Sequence, residues 1–514
     1  MEGTVYSLIP ALLMLVLVLV TRRVLLSLGV GVLVGAFVLH EFNIVSSFNE
    51  IVQVFLGIFF EDGALNTGSI YLLGFLLLLG VTTAFMTASG GSKAFGDWAI
   101  RKIKTRKGAQ LLPAILGIII FIDDYFNSLA VGQVARPVTD RQKVSRVKLA
   151  YFIDSTSAPI TVISPISSWG AYIIGTIGGI LTANEIIGYQ PLEAFVKMIP
   201  FNMYAITAIV LVFIVILLDL NVGPMKKHED KAKLTGELFD MEKGNIPGDL
   251  KDALESHKGG KIYHLLVPIG LLIIGTVVTM VITGILNTDG KASILSIFEN
   301  TDVNFSLFIG GLSAVLVALV LYMEQSIPKS STFKIFKEGF KAMLPAIYIL
   351  LLAWMIGSII NSLGTGQYLA ELVQEASIDA NYIPLLLFVV ASFMAFATGT
   401  SWGTFGIMLP IAGEIAAVTD VDLVLPAMAA VLAGAVFGDH CSPISDTSIL
   451  SSTGAGSNHI DHVITQLPYA FICAIASAIG YLILGLTGQL ILSLLAALVA
   501  TIVIALALKA IVKR

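Results

Sequence analysis

Asp439, Ser442, Asp446 and Thr447 stand in the stretch GDHCSPISDTSILSSTGAGSNHIDH, Gly438 to His462, with strongly apolar sequence on either side. Carboxylates and hydroxyls in such a setting suit cation and proton exchange. Desolvation disfavours a buried carboxylate's charge and a nearby cation restores it, so one site can hold either a proton or a sodium ion. Oxygen ligands also match sodium better than imidazole or thiol would, by extension from other hard cations. Asp439 and Asp446 would share a face of a continuous helix, but Pro443 between them predicts a break. His440 reads as a hydrogen-bonded structural residue and Cys441 as a small packing group.

Three more clusters carry polarity into apolar sequence, where each ionisable group costs about 2.5 to 3.5 kcal/mol unless it is paired or faces a cavity. FIDDYFNS holds Asp123, Asp124, Asn127 and Ser128, with Asp124 and Asn127 at i,i+3 spacing. A hydrated turn is the plain alternative, and the preceding ILGIIIF favours burial. DSTSAPITVISPISSWG, Asp154 to Gly170, sets Asp154, Ser155, Thr156 and Ser157 beside Pro159 and Pro165. Prolines that interrupt a helix free carbonyl oxygens and helix ends to hold a cation, unless the neighbouring hydroxyls simply satisfy a kink. FATGTSWGTFG places Thr400 and Ser401 among glycines, which suits either hydroxyl ligation or close helix packing. The GxxxG at Gly31 and Gly35 reads as packing. His459, Asp461 and His462 read as part of a hydrated cap from Gly454 to His462, since two imidazoles do not make a metal site.

These clusters must be positioned by membrane helices. Of 514 residues, 56% are hydrophobic and 13% charged, and the mean hydropathy is +0.90, which takes the chain out of the soluble class. Runs such as YLLGFLLLLGVTTAFM and AITAIVLVFIVILL approach the roughly 20 apolar residues that cross a bilayer as helix, and barrel-type alternation is lacking. The first run has no basic residue before it while Arg22 and Arg23 follow it, so it is expected to be a retained helix. Cys441 and Cys473 support neither a disulfide framework nor a zinc motif. Nothing in the charge pattern points to nucleic acid.

Basic loops mark the cytoplasmic side. TRR, GSKAFGDWAIRKIKTRKG and TDRQKVSRVK are basic, whereas HEFNIVSSFNE and EDGALN are acidic, which predicts the N-terminus outside and the C-terminus inside. The stretch between the second and third basic loops is too short for two crossings and reads as a re-entrant hairpin. Helices are expected near 145–182 and 197–219, then a charged, solvated linker, then helices near 262–286, 305–323 and 342–362. Acidic residues around Glu371, Glu375 and Asp379 lie outside, a second hairpin spans 382–418, and the helices that follow include one near 465–487 and a last one ending inside. FIDSTSAPI from Phe152 echoes FGDHCSPI from Phe437. An echo between halves of opposite orientation is the mark of inverted-repeat transporters. The expected fold is therefore an all-α polytopic membrane protein, an inverted-repeat secondary transporter with two re-entrant hairpins and two broken transmembrane helices. Residues 1–221 form the first repeat, 222–261 a cytoplasmic linker, 262–487 the inverted repeat and 488–514 an extra helix.

FGDHCSPISDTSILSSTGAGSNHIDHVITQLPYA, FIDDYFNSL and YFIDSTSAPITVISPISSWG resemble the signatures of the NhaC family of sodium/proton antiporters, and the resemblance runs over nearly the whole chain. Ser457 departs from the cysteine common among relatives. The resemblance implies antiport across a bacterial cytoplasmic membrane by an elevator-like motion, with no cofactor beyond the transported Na+ and H+. It carries site roles to Asp123, Asp124, Asn127, Asp154, Ser157, Asp439, Ser442, Asp446 and Thr447. Asp154 and Asp439 are the expected sodium carboxylates. Relatives also move malate and lactate or amino acids, so a small carboxylate or amino acid is the alternative substrate; no arginine except Arg136, at a hairpin end, is near enough in sequence to clamp one. A homodimer is compatible with the sequence. An intramembrane hydrolase built on His440, Cys441 and Asp446 is disfavoured, because the nucleophile adjoins its base along the chain and HExxH is missing.

Overall fold

A computed structural model describes residues 3–21, 23–61, 63–186, 188–240, 254, 257, 259–288, 290, 292–325, 332–365, 367–369, 371 and 379–512. Arg22, Glu375, linker residues 241–253 and the last two residues, named above in the topology, lie outside the described residues.

With no water to satisfy amides in the hydrocarbon layer, apolar runs bond their backbones internally and become helices. In chain order these are α1 (Ile9–Thr21), α2 (Val24–Leu39) and α3 (Ile44–Gly57); a two-residue antiparallel ribbon, β1 (Phe60–Glu61) and β2 (Ala64–Leu65), with Phe60 opposite Leu65; then α4 (Thr67–Ala88) and α5 (Gly91–Lys102). Next come α6 (Arg106–Ile119), α7 (Asp124–Arg141), α8 (Arg146–Ile163), α9 (Ser168–Ala183), α10 (Pro191–Met198), α11 (Met203–Leu218) and α12 (Pro224–Thr235). The second half brings α13 (Tyr263–Asn287), α14 (Ile294–Glu299), α15 (Val303–Met323), α16 (Thr332–Ser362), α17 (Ile383–Thr398), α18 (Ser401–Thr419), α19 (Val424–Cys441), α20 (Asp446–Ala455), α21 (His459–Thr487) and α22 (Leu490–Val512). Among the described residues, eight helices are long and apolar enough to cross a bilayer, or up to ten spans if each of two bent pairs counts as one. The chain is an all-α polytopic membrane protein.

Two bodies of packed helices meet around α7 and α20. One joins α4, α13, α15 and α16 with α1–α3, and Gly31 and Gly35 seat α2 against Met14, Ile356 and Ile359, as the GxxxG spacing suggests. The other gathers α8, α11, α17–α19, α21 and α22 around one continuous apolar core. α6 and α7 fold back on each other as a hairpin whose open ends meet, Gln142 Nε2 donating to the Ile103 carbonyl at 3.1 Å. α17 and α18 form the other hairpin, turned at Gly399, whose positive φ of 72° is the left-handed region that glycine adopts without steric cost.

Both broken helices break at the same four residues, Ser-Pro-Ile-Ser. Ser164–Ser167 separate α8 from α9, and Ser442–Ser445 separate α19 from α20. In each, the closing serine caps the next helix: Ser167 Oγ accepts from Gly170 N at 2.9 Å and Ser445 Oγ from Ser448 N at 3.1 Å. Pro159 was expected to help break the first helix, but it lies inside α8, which continues to Ile163. The echo of Phe152 with Phe437 therefore does not superimpose the breaks: Asp154 stands mid-helix, whereas Asp439 stands in the last turn before the break.

Two expectations are overturned. The linker is not merely solvated, because α12 inserts Glu229, fully buried, at the base of the first hairpin. Its carboxylate accepts from Ser145 N at 2.8 Å and Arg106 Nη2 at 2.5 Å, with Lys148 Nζ at 3.4 Å. Burial opposes the charge, but Lys148 and Arg106 outweigh it and hold the carboxyl below the usual glutamate range. Nor is Gly454–His462 a wet cap: His459, Asp461 and His462 are all buried. Gly456, with φ of 65°, turns the chain at the end of α20 so that α21 packs these residues back against α8 and α20.

Candidate functional site

The tip of the first hairpin, Ile120 to Asp123, and the start of α7 reach the helices that follow the two Ser-Pro-Ile-Ser breaks. Asp123 caps α7 by accepting from Phe126 N at 2.9 Å, and Ser168 Oγ donates to its other oxygen at 2.9 Å. Asp124 accepts from Trp169 Nε1 at 2.9 Å. Tyr125 donates its hydroxyl to Asp446, which opens α20. Three consecutive side chains thus grip the first turns of α9 and α20, and the positive ends of α7 and α20 favour the carboxylates placed there. Asn127 braces the tip by donating to the Gly117 and Ile120 carbonyls, both at 2.6 Å.

Asp439, in the last turn of α19, accepts from Thr447 Oγ1 at 2.8 Å, and Thr447 also lies 2.8 Å from Ser445 Oγ. Asp124 and Asp439 are buried, Asp446 is half-buried, and the three are near enough for their charges to act on one another. Asp124 Oδ2, Asp439 Oδ1 and Asn127 Oδ1 are buried without a hydrogen-bond partner among the described residues. Buried oxygens left unpaired are costly, and a cation relieves that cost. Among the described residues no three His, Cys, Asp or Glu side chains group as a metal centre, so hydroxyl and carbonyl oxygens would have to complete any cation shell.

The second hairpin closes the junction. Gly399 packs so tightly on Ile444 that a Cβ would clash with it, and Trp402 meets Trp169 edge-on at 5.7 Å. Beside this contact a cavity of about 580 Å³ is lined by Tyr125, Trp354, Asn361, Thr400, Trp402 and Asp446 among others, with no Lys, Arg or His among the described residues of its wall. Ser401 donates its hydroxyl to the Ala435 carbonyl at 3.3 Å, which orients its oxygen. Ser442 likewise donates to the Phe396 carbonyl at 2.8 Å.

Asp154 lies in a separate network. Its oxygens accept from Ser448 Oγ at 2.9 Å, Ser451 Oγ at 3.2 Å and Gln466 Nε2 at 2.6 Å, and His462 Nε2 stands 3.0 Å away. Its neighbours on α8 turn inward: Thr156 donates to the Phe152 carbonyl at 2.8 Å and Ser157 to the Asp154 carbonyl at 3.2 Å. Sequence reasoning missed Tyr125, Trp169 and Gln466, and read His462 as part of a hydrated cap. The two Ser-Pro-Ile-Ser tetrapeptides were the available signal for the first two, since they mark the helix starts that the hairpin tip grips. His440, as expected, is structurally bonded, its Nδ1 lying 3.0 Å from Tyr204 Oη.

The sequence model of the Na+/H+ antiporter family matches residues 160–486, more than half of the chain. The chain belongs to the Na+/H+ antiporter family. This antiporter is 48% identical over 492 residues, 95% of its length and 92% of the other's, to an uncharacterized protein of Haemophilus influenzae. It is 26% identical over 37% of its length, and 39% of the other's, to the malate-2H(+)/Na(+)-lactate antiporter of Bacillus subtilis. Over 28% of its length, and 29% of the other's, it is 34% identical to the arginine/ornithine antiporter ArcD of Halobacterium salinarum. The protein is thus a multi-pass secondary antiporter.

Proposed function

We propose that the protein exchanges cytoplasmic sodium for external protons across a bacterial cytoplasmic membrane, with its N-terminus outside and C-terminus inside. The observation that carries this reading is the junction where Asp124, Asp439 and Asp446 come together with unpaired oxygens on Asp124, Asp439 and Asn127. Asp439 and Asp124 are the carboxylates shared between ions: a sodium ion there displaces the protons that otherwise neutralise them. Thr447 orients Asp439, while Asp123, Tyr125 and Trp169 fix the hairpin tip. Asp154, with every oxygen engaged by protein donors, clamps α20 to α21 rather than holding sodium. Residues 1–221 and 262–487 act as inverted repeats whose re-entrant hairpins and broken helices move together against the remaining helices.

The cavity beside Asp446 supports a second reading, sodium- or proton-coupled exchange of a small organic solute, because 580 Å³ exceeds what a bare cation needs. Among the described residues the wall lacks a basic side chain for a carboxylate, which favours the inorganic cation. A proteoliposome panel separates the two. Sodium, lithium and potassium are compared with malate, lactate and amino acids under an imposed pH gradient; dissipation by sodium alone supports the first reading, and dissipation that needs an organic solute supports the second.

A further inference from the structure

α5 lies level with two span ends. It begins three residues after α4 ends at Ala88, and Gly91 packs directly on the backbone of His264, in the first turn of α13. Trp98, Arg101 and Lys102 are spaced i, i+3 and i+4, which sets them on one face of α5, and Trp98 is 40% exposed. Arg101, Lys102 and Lys104 are exposed and make no ion pair among the described residues. Asp97 is the sole acidic residue between Gly91 and Ile122, and Arg141 takes it at 2.6 Å. Two neighbouring cations are already used: Arg106 binds Glu229, and Lys107 donates to the Leu217 carbonyl at 2.6 Å.

A membrane-level indole beside three cations that make no ion pair among the described residues matches a headgroup that is anionic above and apolar below. Indoles settle at the headgroup layer, and juxtamembrane cations attract anionic lipid there. We propose that this face of α5, with Lys104, binds the phosphates of anionic phospholipid, holding lipid against the base of the first hairpin. Because α5 contacts α7 and ends one short loop before α6, bound lipid steadies both hairpin arms where they meet.

Detergent-purified protein titrated with phosphatidylglycerol or phosphatidylcholine, and read by native mass spectrometry, tests this without reference to transport. The wild type should bind phosphatidylglycerol in preference to phosphatidylcholine. Replacing Arg101, Lys102 and Lys104 by Gln should weaken phosphatidylglycerol binding by roughly a hundredfold, the product of three near-surface charges. Replacing Lys334, Lys337 and Lys341, exposed cations on α16, should leave it unchanged. Equal affinity for both lipids, equal loss in both triple variants, or competition by glycerol phosphate as strong as by lipid would overturn the proposal. All six side chains are exposed, and a melting curve like that of the wild type verifies that each variant is folded.

Discussion

His462 Nε2 and Asp154 Oδ2 lie 3.0 Å apart although 308 positions separate them in the chain. With Gln466, Ser448 and Ser451 they join α8, α20 and α21 through a single buried carboxylate. Removing one partner of a buried, hydrogen-bonded charge leaves the rest uncompensated, which costs about 3 to 5 kcal/mol. Asp154→Ala should therefore lower the melting temperature markedly, whereas Asp439→Asn, which keeps the shape of its site, should melt near the wild type. Thermal unfolding of the two purified variants checks this, and equal melting would remove the clamp role from Asp154.

Tyr125 ties the hairpin tip to Asp446. Tyr125→Phe deletes that donor and leaves an oxygen of the half-buried Asp446 carboxylate without it, at about 1 kcal/mol. The expected outcome is a folded protein whose sodium concentration for half-maximal exchange is shifted, as measured in liposomes. An unshifted value would show that the tip does not shape the cation site.

Gly132 on α7 meets Gly454 on α20 so closely that a Cβ on either would strike backbone of the facing helix. Gly132→Val should destabilise by about 1 to 3 kcal/mol through overpacking. Since Ser128 and Ser451 also touch across this seam, at 3.1 Å, exchange should slow as well. A variant with unchanged melting and rate would mean that α7 and α20 are not held this closely.

Glu229 supplies a pH dependence at the linker. Its carboxyl is held below the usual range in the folded chain by Lys148 and Arg106 against the cost of burial, so its stabilisation is full above the ordinary glutamate pKa, about 4.3. That contribution is lost as pH falls through the lower folded value. Glu229→Gln should be less stable than the wild type at neutral pH, and the gap should narrow as the medium is acidified below that range. Melting curves across a pH series test the sign, and a gap that widens on acidification would contradict it.

Helix positions and polar clusters were readable in the sequence because hydropathy and proline act locally. Asp123, Asp124, Asp439 and Asp446 stood out as charges amid apolar residues, and at one junction the first three are buried and Asp446 half-buried. The partnerships were not readable, because Tyr125 with Asp446 and His462 with Asp154 depend on which helices pack together. The stretch from Gly454 to His462 looked wet for the same reason: its polarity was plain, but the turn at Gly456 that folds it inward is a tertiary event. Glu229 was hidden in a run of mixed charge, and only its packing against Lys148 and Arg106 sets it apart. The Ser-Pro-Ile-Ser repeat was in plain view, yet a longer and looser echo drew attention to Pro159 instead.

The most direct test of the cation site at Asp439 is sodium-dependent proton movement in proteoliposomes holding either the wild type or Asp439→Asn. Sodium added to wild-type vesicles should dissipate an imposed pH gradient, and the folded Asp439→Asn protein should fail to do so. Exchange by Asp439→Asn at the wild-type rate, or a wild type that moves no protons when given sodium, would contradict the account.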